Sequence, residues 1–311
     1  MKSVALITGS EKLCGIHHYA DAVCSILSKS KKHNFYLLEC DSEEEFNKKC
    51  NADIVIMNYQ PRTLSWYTPE VSNRIKQIQF LIDSHAAVEQ VVYDKLTNIK
   101  EIISMDVTRR PERNHHPGVR PVIFYDDLVY SPPAPNRRLR IGTSGVGSNH
   151  KHLEFMAEVI KNQFVDPISW NIHFSLGTFT GVDKEQMKTM HSQLSKILTP
   201  NIELNFICEQ FSHYELIKWL NQNDINIYIY NDWPSNAVSA SIDNALAARK
   251  PIGINNANFF RHIYSTDNSL EVTSIKEIIN KGVKPLEKFY DIWNQQKLLE
   301  QYETLVDRYD Q

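Results

Sequence analysis

At 311 residues the chain is longer than a single hydrophobic core commonly serves, so two units of about 150 residues each are expected. With 42% hydrophobic and 23% charged residues it is neither disordered nor fibrous, and a formal net charge of -3 excludes the broad positive field that non-specific polynucleotide binding requires. The opening MKSVALITGS holds only about four consecutive apolar residues, too few for a signal-peptide core, and no run of about 18 supports a membrane span. A cytoplasmic protein is expected, with peripheral membrane contact left open and no specific nucleic-acid partner.

Apolar strand-like runs recur between helical patterns, beginning with Val4–Thr8, Phe35–Leu38, Ile54–Met57, Ile78–Ile82 and Ile102–Met105. The alternation predicts a parallel sheet. Ser42 with Glu45 has capping-box spacing, and Thr68 before Pro69 suits a helix N-cap followed by a first helical position. Val122–Tyr125 is read as the strand that closes this half. Both TRRPERNHHPGVRP (108–121) and SPPAPNRR (131–138) are rich in proline and charge and read as loops. The second is taken as the domain boundary, giving a first domain over 1–137 and a second over 138–311. Strands are then expected at Leu139–Thr143, Trp170–Ser175, Ile202–Ile207, Ile225–Tyr230 and Pro251–Ile254, with S-x-x-E helix starts at Ser212/Glu215 and Ser274/Glu277. From Pro285 to Gln311 a final helix offers Trp293, Leu298, Leu299, Tyr302 and Leu305 as an apolar stripe, and its return onto the first domain is left open. The five cysteines, Cys14, Cys24, Cys40, Cys50 and Cys208, form no C-x-x-C pair and read as reduced thiols. The histidines show no metal-ligand spacing, so neither metal nor cofactor is expected.

The stretch from His213 to Asn258 reads as a helix and a buried strand, with a polar loop and a small-residue helix directly after the strand. Open α/β sheets put anionic ligands at such strand ends, beside helix N-termini. The run Gly142-Thr143-Ser144-Gly145-Val146-Gly147-Ser148-Asn149-His150-Lys151 reads as a glycine-rich loop in which backbone N–H groups approach phosphate oxygens and Lys151 adds a positive charge. A plain tight turn is the structural alternative.

The segments Cys14–Ala20, Ser212–Leu216 and Ala245–Ile252 resemble parts of GT-B retaining glycosyltransferases that use nucleotide-sugar donors. Cys14-Gly15-Ile16-His17-His18-Tyr19-Ala20 is similar to that family's GGIGRY-like loop. Ser212-His213-Tyr214-Glu215-Leu216 is similar to its S-x-x-E-L helix start, and Ala245-Leu246-Ala247-Ala248-Arg249-Lys250-Pro251-Ile252 to its EALACGKPV segment. The resemblance implies two Rossmann-like domains facing each other across a cleft. It also implies an E-x7-E motif whose two positions fall here on Asn236 and Asn244, so the spacing survives and the charges do not. Eight helical residues would rise about 12 Å and leave the two side chains roughly 80° apart around the axis, along one extended ligand. An amide can bind a hydroxyl but, unlike a carboxylate, also donates.

On this resemblance the donor site comprises Gly15, Ser144, Gly145, Lys151, Ser235, Asn236, Ala237, Val238, Ser239 and Asn244. Lys151, His85 and Asn236 carry the chemistry, while His17, Trp66 and Tyr67 meet the acceptor. Surface exposure of His17 and loop anchoring by Trp66 and Tyr67 are the plain alternatives. The implied activity is metal-independent transfer of a sugar from a UDP- or GDP-sugar to a glycan or other hydroxyl acceptor, with retention at the anomeric carbon. A nucleotide-sugar epimerase of the same fold and a non-catalytic two-lobed sugar- or nucleotide-binding protein remain open.

Overall fold

The computed structural model describes residues 1–12, 14–83, 95–108, 114–134, 137–147, 151–175, 183–231 and 237–309. They form two α/β units, one of residues 1–121, 235–238 and 292–311, the other of residues 122–234 and 239–291.

The first unit is built on β1 (Ser3–Thr8), β2 (Asn34–Glu39), β3 (Ile54–Tyr59), β4 (Ile78–Asp83), β5 (Ile99–Ser104) and β6 (His115–Pro117). All pair in parallel, in the order β2-β1-β3-β4-β5-β6. Its inner strands are buried on both faces, which is why they read as near-continuous apolar runs rather than alternating ones. Ala5, Ile7, Val55, Met57 and Leu81 share a core with Phe46 of α2 (Glu43–Lys49) and Val71 of α3 (Pro69–Arg74). The caps read from sequence form: Ser42 Oγ accepts from the Glu45 N–H, and Thr68 Oγ1 accepts from the Val71 N–H with Pro69 opening the helix.

The second unit contains β7 (Leu139–Val146), α4 (Leu153–Gln163), β8 (Ile168–Ser175), α5 (Lys184–Ile197), β9 (Ile202–Ile207), α6 (His213–Asn221), β10 (Ile225–Tyr228), α7 (Ser241–Ala247), β11 (Ile252–Ile254) and α8 (Ile275–Lys281). Its five parallel strands run β11-β10-β7-β8-β9. The chain therefore starts in the middle at β7, works outward to β9, then returns beside β7 with β10. Full capping boxes open α6 (Ser212/Glu215) and α8 (Ser274/Glu277).

Four expectations are corrected. Val122–Tyr125 forms no strand, because His115–Pro117, read as loop, takes the sheet edge beside β5 instead. The glycine-rich run from Gly142 is not a loop as far as Val146: it continues β7, paired residue for residue with β8. Residues 122–137 belong with the second unit, where Arg137 pairs with the buried Asp224 and the Lys250 ammonium donates to the Ser131 carbonyl at 2.9 Å. The final helix is not continuous. A 3-10 turn (Lys284–Leu286) and α9 (Glu287–Ile292) stop before Asn294, whose side chain accepts from the Lys297 N–H and starts α10 (Gln295–Asp307) afresh. Residues 292–311 belong to the first unit, with α10 against α1 (Gly15–Leu27).

An amide ladder crosses the second sheet. Asn205 Nδ2 donates to Asn171 Oδ1 (3.1 Å), Asn171 Nδ2 to Asn223 Oδ1 (2.9 Å), Asn223 Nδ2 to Asn226 Oδ1 (3.0 Å), and Asn226 Nδ2 to the Leu220 carbonyl (3.2 Å). Gly142 lies in register between Asn171 and Asn226, and a Cβ there would collide with the Asn223 and Asn226 amides. The glycine is the gap the ladder passes over. Gly142→Ala is expected to cost about 2 kcal/mol or more, through overpacking and lost buried hydrogen bonds. Urea unfolding checks this, and an unchanged midpoint would reject the account.

Candidate functional site

In each sheet the strand order reverses beside the first strand, and the carboxyl ends at such a reversal are where open α/β sheets bind ligands. In the second unit the reversal lies between β7 and β10. The residues that follow those two strands meet there. Lys151 and Tyr230 form an isolated antiparallel bridge, and the Lys151 Nζ donates to the Tyr230 hydroxyl at 2.7 Å and to the Ser144 carbonyl at 2.9 Å. Phe174, Tyr228 and Tyr230 wall the ammonium, their ring centroids 5.6, 5.9 and 4.6 Å from Nζ. Lys151 is 5% exposed and Tyr230 8%.

Among the described residues no carboxylate lies within ion-pair distance of this ammonium; its partners are a carbonyl and a phenol. Desolvating a cation costs several kcal/mol, and neutral acceptors offset only part of it. Among the described residues the cluster thus holds positive charge in buried, aromatic-walled surroundings, where its field is little screened.

The two phenols respond in opposite directions. Burial pushes Tyr228 up, with Ser144 Oγ at 3.1 Å from its hydroxyl as partner. Burial also pushes Tyr230 up, but the Lys151 charge and hydrogen bonds from Lys151, Ser239 and Ser241 outweigh it, and the net direction is down.

The backbone is fitted to this cluster. Gly145 has φ +128°, a conformation L side chains rarely adopt, and a Cβ there would stand 2.6 Å from Ser241 Oγ and 2.7 Å from Lys151 Nζ. Of the proposed donor residues, Gly145, Lys151 and Ser239 are therefore brought together. Ser144 contributes its carbonyl to Lys151, while its hydroxyl turns to Tyr228 rather than to a phosphate. Ala237 and Val238 are buried. Asn244 is half-buried on α7, next to the buried Asp243. That helix begins only at Ser241, so positions 236 and 244 are not separated by eight helical residues, and the spacing argument drawn from the helix does not hold. Ser235, Asn236 and His85 lie outside the described residues.

The reversal in the first unit lies between β1 and β3. Asn58 at the end of β3 is fully buried and donates through Nδ2 to the Ile16 carbonyl at 2.8 Å, fixing the first turn of α1. Gly15 opens that helix in an exposed position, without a side-chain cap and with nothing within 4 Å of where a Cβ would be.

The three acceptor candidates are corrected. His17 is buried, with Nε2 2.9 Å from Glu39 Oε1 at the end of β2. Tyr67 is a core residue, its hydroxyl donating to Gln79 Oε1 at 2.8 Å. Trp66 donates its indole N–H to the Cys40 carbonyl at 3.0 Å and packs on Phe46, anchoring the loop. Sequence reading missed Tyr230 and Ser241. A signal existed in INIYIY, where Tyr228 and Tyr230 alternate with buried isoleucines and each buried hydroxyl demands a partner.

Compared by sequence, the chain matches no family model and no curated protein. Compared by structure, it superposes along its whole length on HepE of Anabaena, solved with UDP-glucose, at TM-score 0.69 and 10% identity, covering 99% of this chain and 100% of that one. The fold is that of the GT-B glycosyltransferases. Sucrose-phosphate synthase of Thermosynechococcus elongatus (TM-score 0.68, 11% identity) and a trehalose-6-phosphate synthase (0.65, 8%) are similar to it as well, each with 99% of both chains covered. None of the helices in the described residues is long and apolar enough to cross a membrane.

The two candidate glycines, Gly15 in the first unit and Gly145 in the second, should respond oppositely. Gly145→Ala is expected to cost about 1–3 kcal/mol for the forced backbone conformation and the displaced lysine. Gly15→Ala, exposed in an open helix start, should be neutral or stabilise by up to about 1 kcal/mol. Urea denaturation of both variants is the check, and a reversed order would reject this picture of the β7 exit.

Proposed function

We propose that this chain is a glycosyltransferase that moves a sugar from a nucleotide diphosphate donor, a UDP- or GDP-sugar, to a hydroxyl acceptor with retention at the anomeric carbon. The observation that carries the reading is the buried Lys151 ammonium, without a carboxylate partner among the described residues, at the strand-order reversal of the second unit. Structural likeness to HepE, solved with UDP-glucose and with UDP and glucose, supports a nucleotide-sugar ligand for such a site.

Cleavage of the bond between the anomeric carbon and the phosphate oxygen leaves positive charge on the sugar and negative charge on the departing diphosphate. Lys151, already fixed and desolvated, stabilises that growing negative charge without reorganising, which is the most effective form of electrostatic catalysis. On the sequence resemblance alone, backbone N–H groups of the glycine-rich stretch add dipoles of the same sense, and Gly15 keeps its place as a donor contact. The acceptor hydroxyl attacks the face that the diphosphate leaves and passes its proton to the departing phosphate oxygen. Neither a covalent sugar–enzyme bond nor a resident metal is part of this scheme. His85 and Asn236 keep their proposed places near the reacting sugar on the sequence resemblance alone, and Asn244 keeps its place as a nucleotide contact.

Two measurements test the reading. A thermal-shift panel of uridine, guanosine, adenosine and thymidine diphosphates and their sugars should raise the melting temperature for one base selectively, because a ligand bound only by the folded state stabilises it. Silence across the panel would reject a nucleotide-sugar site. Lys151→Met, which keeps the buried volume, should lower turnover of the responding sugar by roughly tenfold or more, the worth of a hydrogen bond to a charged group. Unchanged kinetics in a folded variant would remove Lys151 from the mechanism.

A further inference from the structure

We propose that Tyr230 is a positioning residue of this site: its hydroxyl fixes the direction of the Lys151 ammonium and couples it to the start of α7. The proposal rests on the donor-site reading above and extends it to a residue that touches the lysine.

A lysine head on a flexible four-carbon stem carries about 2 kcal/mol of rotamer entropy, so a useful direction has to be imposed by its partners. Two are in place. The Ser144 carbonyl and the Tyr230 hydroxyl take one N–H each, and of the three donors an ammonium possesses, one is left for a ligand among the described residues. The carbonyl belongs to a paired strand and cannot move independently.

Tyr230 is held just as firmly, from three sides. Its backbone N–H donates to Asn255 Oδ1 at 3.1 Å and its carbonyl accepts from Asn255 Nδ2 at 2.9 Å, so one side-chain amide clamps both backbone groups. Its ring packs on Phe259 and Phe260, with centroids 5.5 and 4.7 Å away. Its hydroxyl lies 3.3 Å from Ser239 Oγ, and Ser241, the first residue of α7, stands with Lys151 against Gly145 in the same cluster. The phenol oxygen is therefore a junction, with the lysine on one side and the segment entering α7 on the other.

Tyr228 supplies the contrast. It too is buried, but among the described residues its hydroxyl has the ordinary partner a core tyrosine needs, Ser144 Oγ, and Phe would fill the same space. At Tyr230 the hydroxyl meets a buried cation, where a lost hydrogen bond is worth more and leaves an ammonium with a single acceptor.

Calorimetric titration of the parent protein with inorganic pyrophosphate, UDP and GDP, repeated on Tyr230→Phe, Lys151→Met and the double variant, tests the assignment. Tyr230→Phe is expected to weaken binding of the responding probe by roughly tenfold or more, the loss of a hydrogen bond to a charged group. In the Lys151→Met background the same change should have little further effect, because its role runs through the lysine. Equal losses in both backgrounds would show a merely structural tyrosine and overturn the proposal. So would a folded Tyr230→Phe variant that binds like the parent, and that result would leave the donor-site reading standing. A parent that binds none of the probes would overturn both. Should Tyr230→Phe fail to fold, Ser239→Ala combined with Ser241→Ala decides instead: weaker binding with Lys151 present and no change in its absence supports the junction, and any other pattern rejects it.

Discussion

A positive charge buried among neutral acceptors organises the second unit around the end of β7. An ion pair at Lys151 would have settled the desolvation cost internally and left little field for anything else. Among the described residues a carbonyl and a phenol hold the ammonium in place, and no carboxylate there compensates its charge. The remaining features follow from making room for that arrangement. Gly145 adopts a left-handed backbone so that Lys151 and Ser241 can close over it, and Asn255 substitutes for a neighbouring strand where Tyr230 has passed the end of β10. Three aromatic rings surround the ammonium without introducing a carboxylate.

Sheet topology decides why these residues meet. β7 and β10 are neighbours in space although α4, β8, α5, β9 and α6 separate them in the chain, so the residues leaving each strand converge on one crevice. In the first unit, β1 and β3 stand in the same relation, and the Asn58 amide ties the exit of one to the helix that follows the other. That crevice is more self-contained than its counterpart. His17 is turned back onto Glu39, and the aromatic pair after β3 is committed to the core and to the Cys40 carbonyl.

Strands buried on both faces announce themselves as apolar runs, and so Ile54–Met57 of β3 and Phe80–Ile82 of β4 were legible from composition alone. Helix starts were equally legible at Ser42, Thr68, Ser212 and Ser274, since a cap is a local interaction between residues three apart. Lys151 could be picked out because it closes a glycine-rich run after a strand, where a cation suits a phosphate. What eluded the sequence was long-range. His17 looks like a helix-start histidine until β2 brings Glu39 beside it, and Tyr67 looks like a loop aromatic until Gln79 is seen beneath its hydroxyl. The run from Gly142 suggests a phosphate loop because glycine is read as freedom. Here Gly142 marks the opposite, a place where the amides of Asn226 on β10 and Asn223 in the turn before it need the space.

Assignment of residues 292–311 to the first unit has a consequence for how the protein is made. The sheet face that carries α1 is completed by α10, whose Leu298, Tyr302, Leu305 and Val306 are buried, and Phe80 of β4 lies 5.4 Å from Tyr309. During synthesis at roughly 5–20 residues per second, the whole second unit emerges before that covering exists. For on the order of ten seconds or more, the nascent first unit therefore displays an unfinished apolar surface, a window in which chaperone capture competes with misassembly.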